Sequence, residues 1–248
     1  MGSELSGVSA LVTGGTSGIG RAVAFALAGR GAHVAVSGRD ELRGKQVVDD
    51  IVTTGGRAVF LAADLSSADA ARSLADRAIE ELGKVDILVN NAAIYPPGTT
   101  DTTSDADFDA VFAVNVRAPF FLVARLAPEM VARGHGTIVN VTSMVAHFGF
   151  VGMTLYGASK AALVLLTKAW AAEYGPHGVR VNAVSPGPTR TEGTAAYDDT
   201  LDDVASAAPA RRAAAPEEIA EAVVFMATDR SSFVHGAVLP VDGGRTAV

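Results

Sequence analysis

Tyr156 and Lys160 stand four positions apart in the stretch "YGASK". If the chain is helical from Leu155 onward, both side chains lie on one face, about one turn or ~6 Å apart along the axis, and their heads can meet at a common point. A phenol ordinarily titrates near ~10 and is a poor proton carrier at neutral pH, but a neighbouring ammonium favours the phenolate and lowers that value. Such a pair can give a proton to a developing alkoxide or take one from an alcohol. The same spacing also arises where tyrosine packs in a core and lysine ends in solvent.

A second chemistry-bearing stretch, "TGGTSGIGRA" from Thr13 to Ala22, follows the apolar run "VSALV". It reads as a strand ending at Thr13 and a helix beginning near Ile19, which leaves the first-turn N–H groups unpaired and pointing outward. Glycine removes the Cβ atoms that would hold an anion away, and the helix dipole favours negative charge there. A diphosphate fits such a floor. The literal G-x-G-x-x-G fingerprint is absent, because Val23 stands where its third glycine belongs. A tight turn that needs glycine only for its dihedrals is the plainer account.

Both stretches need a scaffold, and the chain offers one. Short apolar runs, as buried parallel strands are, recur at 8–13, 33–37, 58–62, 86–89, 137–142, 179–184 and 237–240. Longer amphipathic stretches lie between them, among them 21–30, 41–53, 68–82 and 158–174, and read as helices. The alternation predicts an α/β, doubly wound (Rossmann) parallel sheet of about seven strands, with helices on both faces, formed by one domain over residues 1–248. "TTDTTSDAD" near residue 100 and the tract 190–216 are the irregular pieces. Both are expected as loops above the carboxyl edge of the sheet, where ligands bind in such folds.

Bulk properties narrow the partners. The 248 residues are 49% hydrophobic, enough for a sizeable core. A net charge of −7 gives no attraction to nucleic acid or an anionic membrane. With no cysteine there is no disulfide, thiolate catalysis or cysteine-held metal, and the five histidines are scattered without metal-ligand spacing. No signal peptide is evident and no apolar stretch reaches ~18 residues, so a soluble cytoplasmic protein without a membrane span is expected.

The motifs then fall into register: "TGGTSGIG", "ADL" at 63–65, "NNAA" at 90–93, Asn115, "VTS" ending at Ser143, "YGASK", and "SPGPTRT" from Ser185. In this order and over essentially the whole chain, the sequence resembles the classical short-chain dehydrogenase/reductase family. The resemblance implies that Gly14, Thr16, Ser17, Gly18, Ile19 and Gly20 cradle the diphosphate of a nicotinamide dinucleotide. Asp64 and Leu65 flank the adenine, Asn91, Ala92 and Ala93 line the nicotinamide ribose, and Thr189 and Thr191 after Pro186 and Gly187 meet the carboxamide. Ala93 departs from the pattern, since glycine is usual there.

The end of the second strand, "HVAVSGRD", bears on which dinucleotide binds. An NAD-preferring member presents Asp near Gly38, accepting from both ribose hydroxyls. Here Ser37 and Arg39 flank a glycine, a hydroxyl and a cation suited to a 2′-phosphate, so NADP(H) is favoured over NAD(H). Ser17 runs the other way, standing where many NADP-using relatives carry Lys or Arg. Arg39 is otherwise an ordinary solvated loop cation.

By resemblance the chemistry is hydride transfer between the nicotinamide and a carbonyl or secondary alcohol. Ser143 holds the substrate oxygen and Tyr156 exchanges the proton. Lys160 holds the ribose hydroxyls and depresses the phenol, and Asn115 orders the water that resupplies protons; a helix kink, or an amide satisfied by backbone, is the plainer account of Asn115. A homotetramer acting on a small molecule follows, with Ile94, Tyr95, Val145, Phe148, Met153 and Pro188 lining the substrate pocket beneath a lid at about 191–208. Two other readings stay open. One is a 3-oxoacyl carrier-protein reductase, disfavoured because the acidic chain steers an acidic carrier poorly. The other is a non-catalytic dinucleotide-binding regulatory protein, for which Asn115, Ser143, Tyr156 and Lys160 together have little use.

Overall fold

The structure, a computed structural model, describes residues 4–96, 98–195 and 198–248. Seven parallel strands form one sheet: β1 (Ser9–Thr13), β2 (His33–Gly38), β3 (Arg57–Ala62), β4 (Ile87–Asn90), β5 (Gly136–Val141), β6 (Val179–Pro186) and β7 (Val238–Val241). Their order is β3-β2-β1-β4-β5-β6-β7. The chain therefore winds outward from β1 in one direction and, after β3, restarts on its other side, with Ala10 beside Ile87.

Successive side chains on these strands enter opposite cores. Ala10 and Val12 of β1, Val34 and Val36 of β2, and Val139 and Val141 of β5 pack with α1 (Gly18–Ala28), α2 (Glu41–Thr53) and α8 (Pro216–Ala227). Leu11, Ala35, Leu88 and Ile138, each between such neighbours, pack with α3 (Ala68–Leu82), α5 (Ala118–Arg133) and α6 (Thr154–Tyr174). Burial on both faces is why the strands are apolar at consecutive positions.

Helix starts follow local capping. The side chains of Asp40, Ser67 and Ser104 each accept the backbone N–H three residues on, opening α2, α3 and α4 (Asp105–Phe112). Ser17, ahead of α1, makes no such bond. The first turn of α1 is thus left without a cap from its own leading residue.

Four expectations are corrected. "TTDTTSDAD" is a loop only as far as Ser104, since that cap and the acidic first turn of α4 start a helix inside it. The tract 190–216 contains α7 (Asp198–Ser206), and positions 196 and 197 of the expected lid lie outside the described residues. Helix α6 starts at Thr154, which puts Tyr156 in its first turn. Finally, the continuous helical run Asp105–Arg133 is long and apolar enough to cross a membrane by length and composition, with mean hydropathy 1.5 over its apolar window. Half of that window is buried, and Leu122, Leu126 and Met130 belong to the second core.

Candidate active site

A cavity of about 1140 Å³ is walled by the segments that leave the carboxyl ends of β1 to β6. Its floor is the glycine loop. Gly14 and Gly18 take positive φ, +62° and +50°. A Cβ on Gly20 would strike the Gly14 carbonyl and the Asn91 side chain, so the first turn of α1 can approach the loop only as glycine. Asn91 Nδ2 donates to the carbonyls of Thr13 (2.9 Å) and Gly14 (3.1 Å). Thr13 Oγ1 in turn accepts from the N–H groups of Asn91 (3.0 Å) and Ala92 (3.1 Å). These bonds stitch the loop after β1 to the loop after β4. The N–H of Gly18 is donated to a carboxylate oxygen of Glu192 at 2.9 Å, so this helix end already holds a negative group of the chain itself.

A nicotinamide dinucleotide fits the residues present. The first turn of α1 and its glycines suit a diphosphate, which would take the place of the Glu192 carboxylate at the Gly18 N–H. At the end of β2 the buried Ser37 Oγ has no hydrogen-bond partner among the described residues, and Arg39 is exposed beside it. Ser37, Arg39, Asp64 and Leu65 share one end of the cavity; Asn91, Ala92, Ala93, Pro186, Gly187, Thr189 and Thr191 share its walls with the loop residues Gly14, Thr16, Ser17, Gly18, Ile19 and Gly20. Thr189 is buried, its hydroxyl donated to the Gly187 carbonyl at 3.0 Å.

Ser143, Tyr156 and Lys160 line the same cavity. Ser143 follows β5 and accepts from the Val145 N–H at 3.4 Å. The Ser143 side chain pulls the phenol's pKa down. Burial acts the other way and dominates, with Tyr95 adding to it, and the phenol is pushed up to about 12. Lys160 is 2% exposed; its Nζ donates to the Val141 carbonyl at 2.8 Å, and burial pushes it down to about 8. Its Nζ lies 5.7 Å from the centre of the Tyr156 ring. The phenol is therefore not depressed by the ammonium as the helical spacing led one to expect: desolvation outweighs the lowering by Ser143, and the Lys160 amine is held on the Val141 carbonyl.

Asn115 is fully buried behind the cavity wall rather than in it, within a π-helical segment, Ala113–Arg117, between α4 and α5. Its Oδ1 accepts from the Ile94 N–H, and its Nδ2 donates to the Ile94 carbonyl, each at 2.9 Å, and to Ser159 Oγ at 3.0 Å. Ser159 donates to the Tyr156 carbonyl at 2.7 Å. Both amide hydrogens are spent on positioning, leaving only one oxygen lone pair to meet a water.

The substrate end differs in part from expectation. Ile94, Tyr95, Val145, Met153 and Pro188 line it, but Phe148 does not: the Arg245 guanidinium covers its ring at 4.7 Å, and Phe150 lines the cavity instead. Leu201 and Val204 of α7 add an apolar wall. Tyr95 donates to the Gly193 carbonyl at 2.8 Å and stands edge-on to Tyr156, ring centres 5.8 Å apart. No cluster of metal-ligating side chains occurs among the described residues.

Residues 14–246 match a family model described as Enoyl-(Acyl carrier protein) reductase, adh_short_C2. An oxidoreductase of Thermotoga maritima, named as uncharacterized, is 41% identical over 96% of this chain and 97% of its own length. The chain belongs to the short-chain dehydrogenase/reductase family. The 7alpha-hydroxysteroid dehydrogenase of Escherichia coli K12 is 38% identical over 97% of this chain and 95% of that protein. A solved short chain dehydrogenase from Burkholderia cenocepacia, in complex with NADP, superposes with a TM-score of 0.92 at 37% identity, covering 98% of this chain and 99% of that one. As a short-chain dehydrogenase/reductase the protein is an NAD(P)-dependent oxidoreductase acting on alcohol and carbonyl groups.

Proposed function

We propose that the protein reduces a small apolar carbonyl compound, or oxidises the matching secondary alcohol, with NADP(H) preferred and Tyr156 as the general acid/base. The observation that carries this reading is the hydroxyl pair of Ser143 and Tyr156, on the cavity that the glycine loop floors. A bound reduced nicotinamide supplies the hydride. Ser143 and Tyr156 donate to the substrate oxygen as charge develops on it. With its pKa near 12, Tyr156 carries a proton at neutral pH and gives it to that oxygen. Lys160, anchored by one N–H to Val141, turns its remaining N–H groups toward the ribose hydroxyls. Asn115 holds Ile94 and, through Ser159, the first turn of α6.

Ser37 and Arg39 support the preference for NADP(H), with hydroxyl and guanidinium meeting the 2′-phosphate. Arg39→Ala is expected to weaken NADP+ about tenfold while leaving NAD+ within about twofold, measured by calorimetry. An equal loss for both dinucleotides removes Arg39 from phosphate recognition. The chain works in the cytoplasm as one domain with a lid over 191–208, and assembles as a homotetramer. Exposed Phe120 and Leu165, on α5 and α6, support the assembly. Its acidity favours neither nucleic acid nor membrane as partner.

Reduction of the 3-oxo group of an acyl chain borne on a carrier protein is the second reading, favoured by the likeness, 34% identical, to a 3-oxoacyl-[acyl-carrier-protein] reductase of Thermotoga maritima and opposed by the charge. Ketones, acyl thioesters and secondary alcohols assayed with NADP(H) and with NAD(H), by nicotinamide absorbance, separate the two. Dinucleotide binding without turnover of any of them would leave a regulatory protein.

A further inference from the structure

We propose that Thr16 is a specificity-determining residue for the dinucleotide, because its branched side chain occupies the space that an acidic residue at position 38 needs. The proposal deepens the NADP(H) reading and rests on it for its direction. A Cβ built on Gly38 would lie 2.6 Å from Thr16 Cγ2, 3.0 Å from its Oγ1 and 3.4 Å from its Cβ. The backbone on both sides is held. The Gly15 N–H donates to the Ser37 carbonyl at 2.9 Å, and the Ala63 N–H donates to the Gly38 carbonyl at 3.0 Å. Neither the glycine loop nor the end of β2 can back away without losing one of these bonds.

Relief must therefore come from rotating Thr16, and there the branching decides. A threonine Cβ carries two heavy substituents and one hydrogen on three staggered positions. Two of those positions face Gly38, so every rotamer leaves at least one heavy atom there, at about 3.0 Å or closer. A carboxylate at position 38 is seated against the ribose hydroxyls only by forcing that contact, and the glycine leaves position 38 open to a phosphate. Serine has a single γ atom that can take the third position, and alanine has none. Valine keeps both.

The test is a set of folded variants whose NAD+ and NADP+ dissociation constants are measured by calorimetry, with thermal midpoints to check folding. Gly38→Asp alone is expected to weaken NADP+ at least about tenfold and to leave NAD+ within about twofold of wild type. T16A/G38D and T16S/G38D are expected to bind NAD+ about tenfold more tightly than G38D, and T16V/G38D no more tightly than G38D. Should T16A/G38D not fold, the serine pair decides. The proposal is overturned if G38D alone gains as much NAD+ affinity as the alanine or serine double variants, if those folded variants gain nothing over G38D, or if the valine variant gains as they do. A wild-type protein that binds NAD+ as tightly as NADP+ removes the NADP(H) reading instead, a result visible before any variant is compared.

Discussion

Tyr156→Phe is expected to lower turnover by about 10²–10⁴-fold while dinucleotide binding stays near normal. The substitution removes one oxygen and keeps the ring that meets Tyr95 at 5.8 Å and Lys160 Nζ at 5.7 Å, so the cavity keeps its shape. What disappears is the hydroxyl that serves as proton donor beside Ser143 on the cavity wall. Ser143 alone offers one hydrogen bond to the substrate oxygen and has no comparable means of giving up its proton. Calorimetry with NADP+ and single-turnover hydride transfer measure the two quantities separately. Turnover near that of wild type would take Tyr156 out of the chemistry.

Lys160→Met is expected to change stability in the direction opposite to activity. Burial lowers the Lys160 pKa from 10.5 to about 8. The folded chain thus binds this proton less readily than the unfolded chain does. Below pH 8 the buried charge costs the full difference, about 3 kcal/mol at ~1.4 kcal/mol per unit. The cost is relieved as pH rises from 8 to 10.5, where the folded group is neutral and the unfolded one still charged. Methionine fills much of the same volume without charge, but leaves the Val141 carbonyl without its 2.8 Å partner, which takes back part of the gain. Denaturant unfolding of both proteins from pH 7 to 10.5 is expected to show the variant ahead at neutral pH and its lead shrinking by about 3 kcal/mol across that window. A constant gap would mean that Lys160 is not desolvated as described. Turnover of the variant is expected to fall throughout, a case of a site that sacrifices stability for function.

Much of the fold was legible because parallel strands buried on both faces write continuous apolar runs, and because Asp40 and Ser67 cap α2 and α3 at the bounds their patterns suggested. Helix α4 was hidden by its polar run-in. The π-helical turn at Asn115 has no periodic signature, and the short apolar stripe of α7, Leu201, Val204 and Ala205, is set in an alanine- and aspartate-rich tract that reads as loop. Motif order brought the cavity-lining residues together on paper, and the structure places them around one cavity, with Asn115 behind the wall. Position-specific physics was not readable. The pKa of Tyr156 depends on how completely both it and Lys160 are desolvated, and the contact of Thr16 with Gly38 depends on how tightly two loops are tied. Phe148 misled because Arg245, nearly a hundred residues later, takes its ring.

The restart of the sheet on the far side of β1 also bears on how the protein is made. Ala10 gains its neighbour Ile87 only after three strands and their helices have emerged from the ribosome, and the walls that suit the dinucleotide are incomplete until Thr191 has followed. Such distant pairings form slowly. A nascent chain therefore has no complete dinucleotide pocket, and the coenzyme supports only finished molecules, by mass action on the native state.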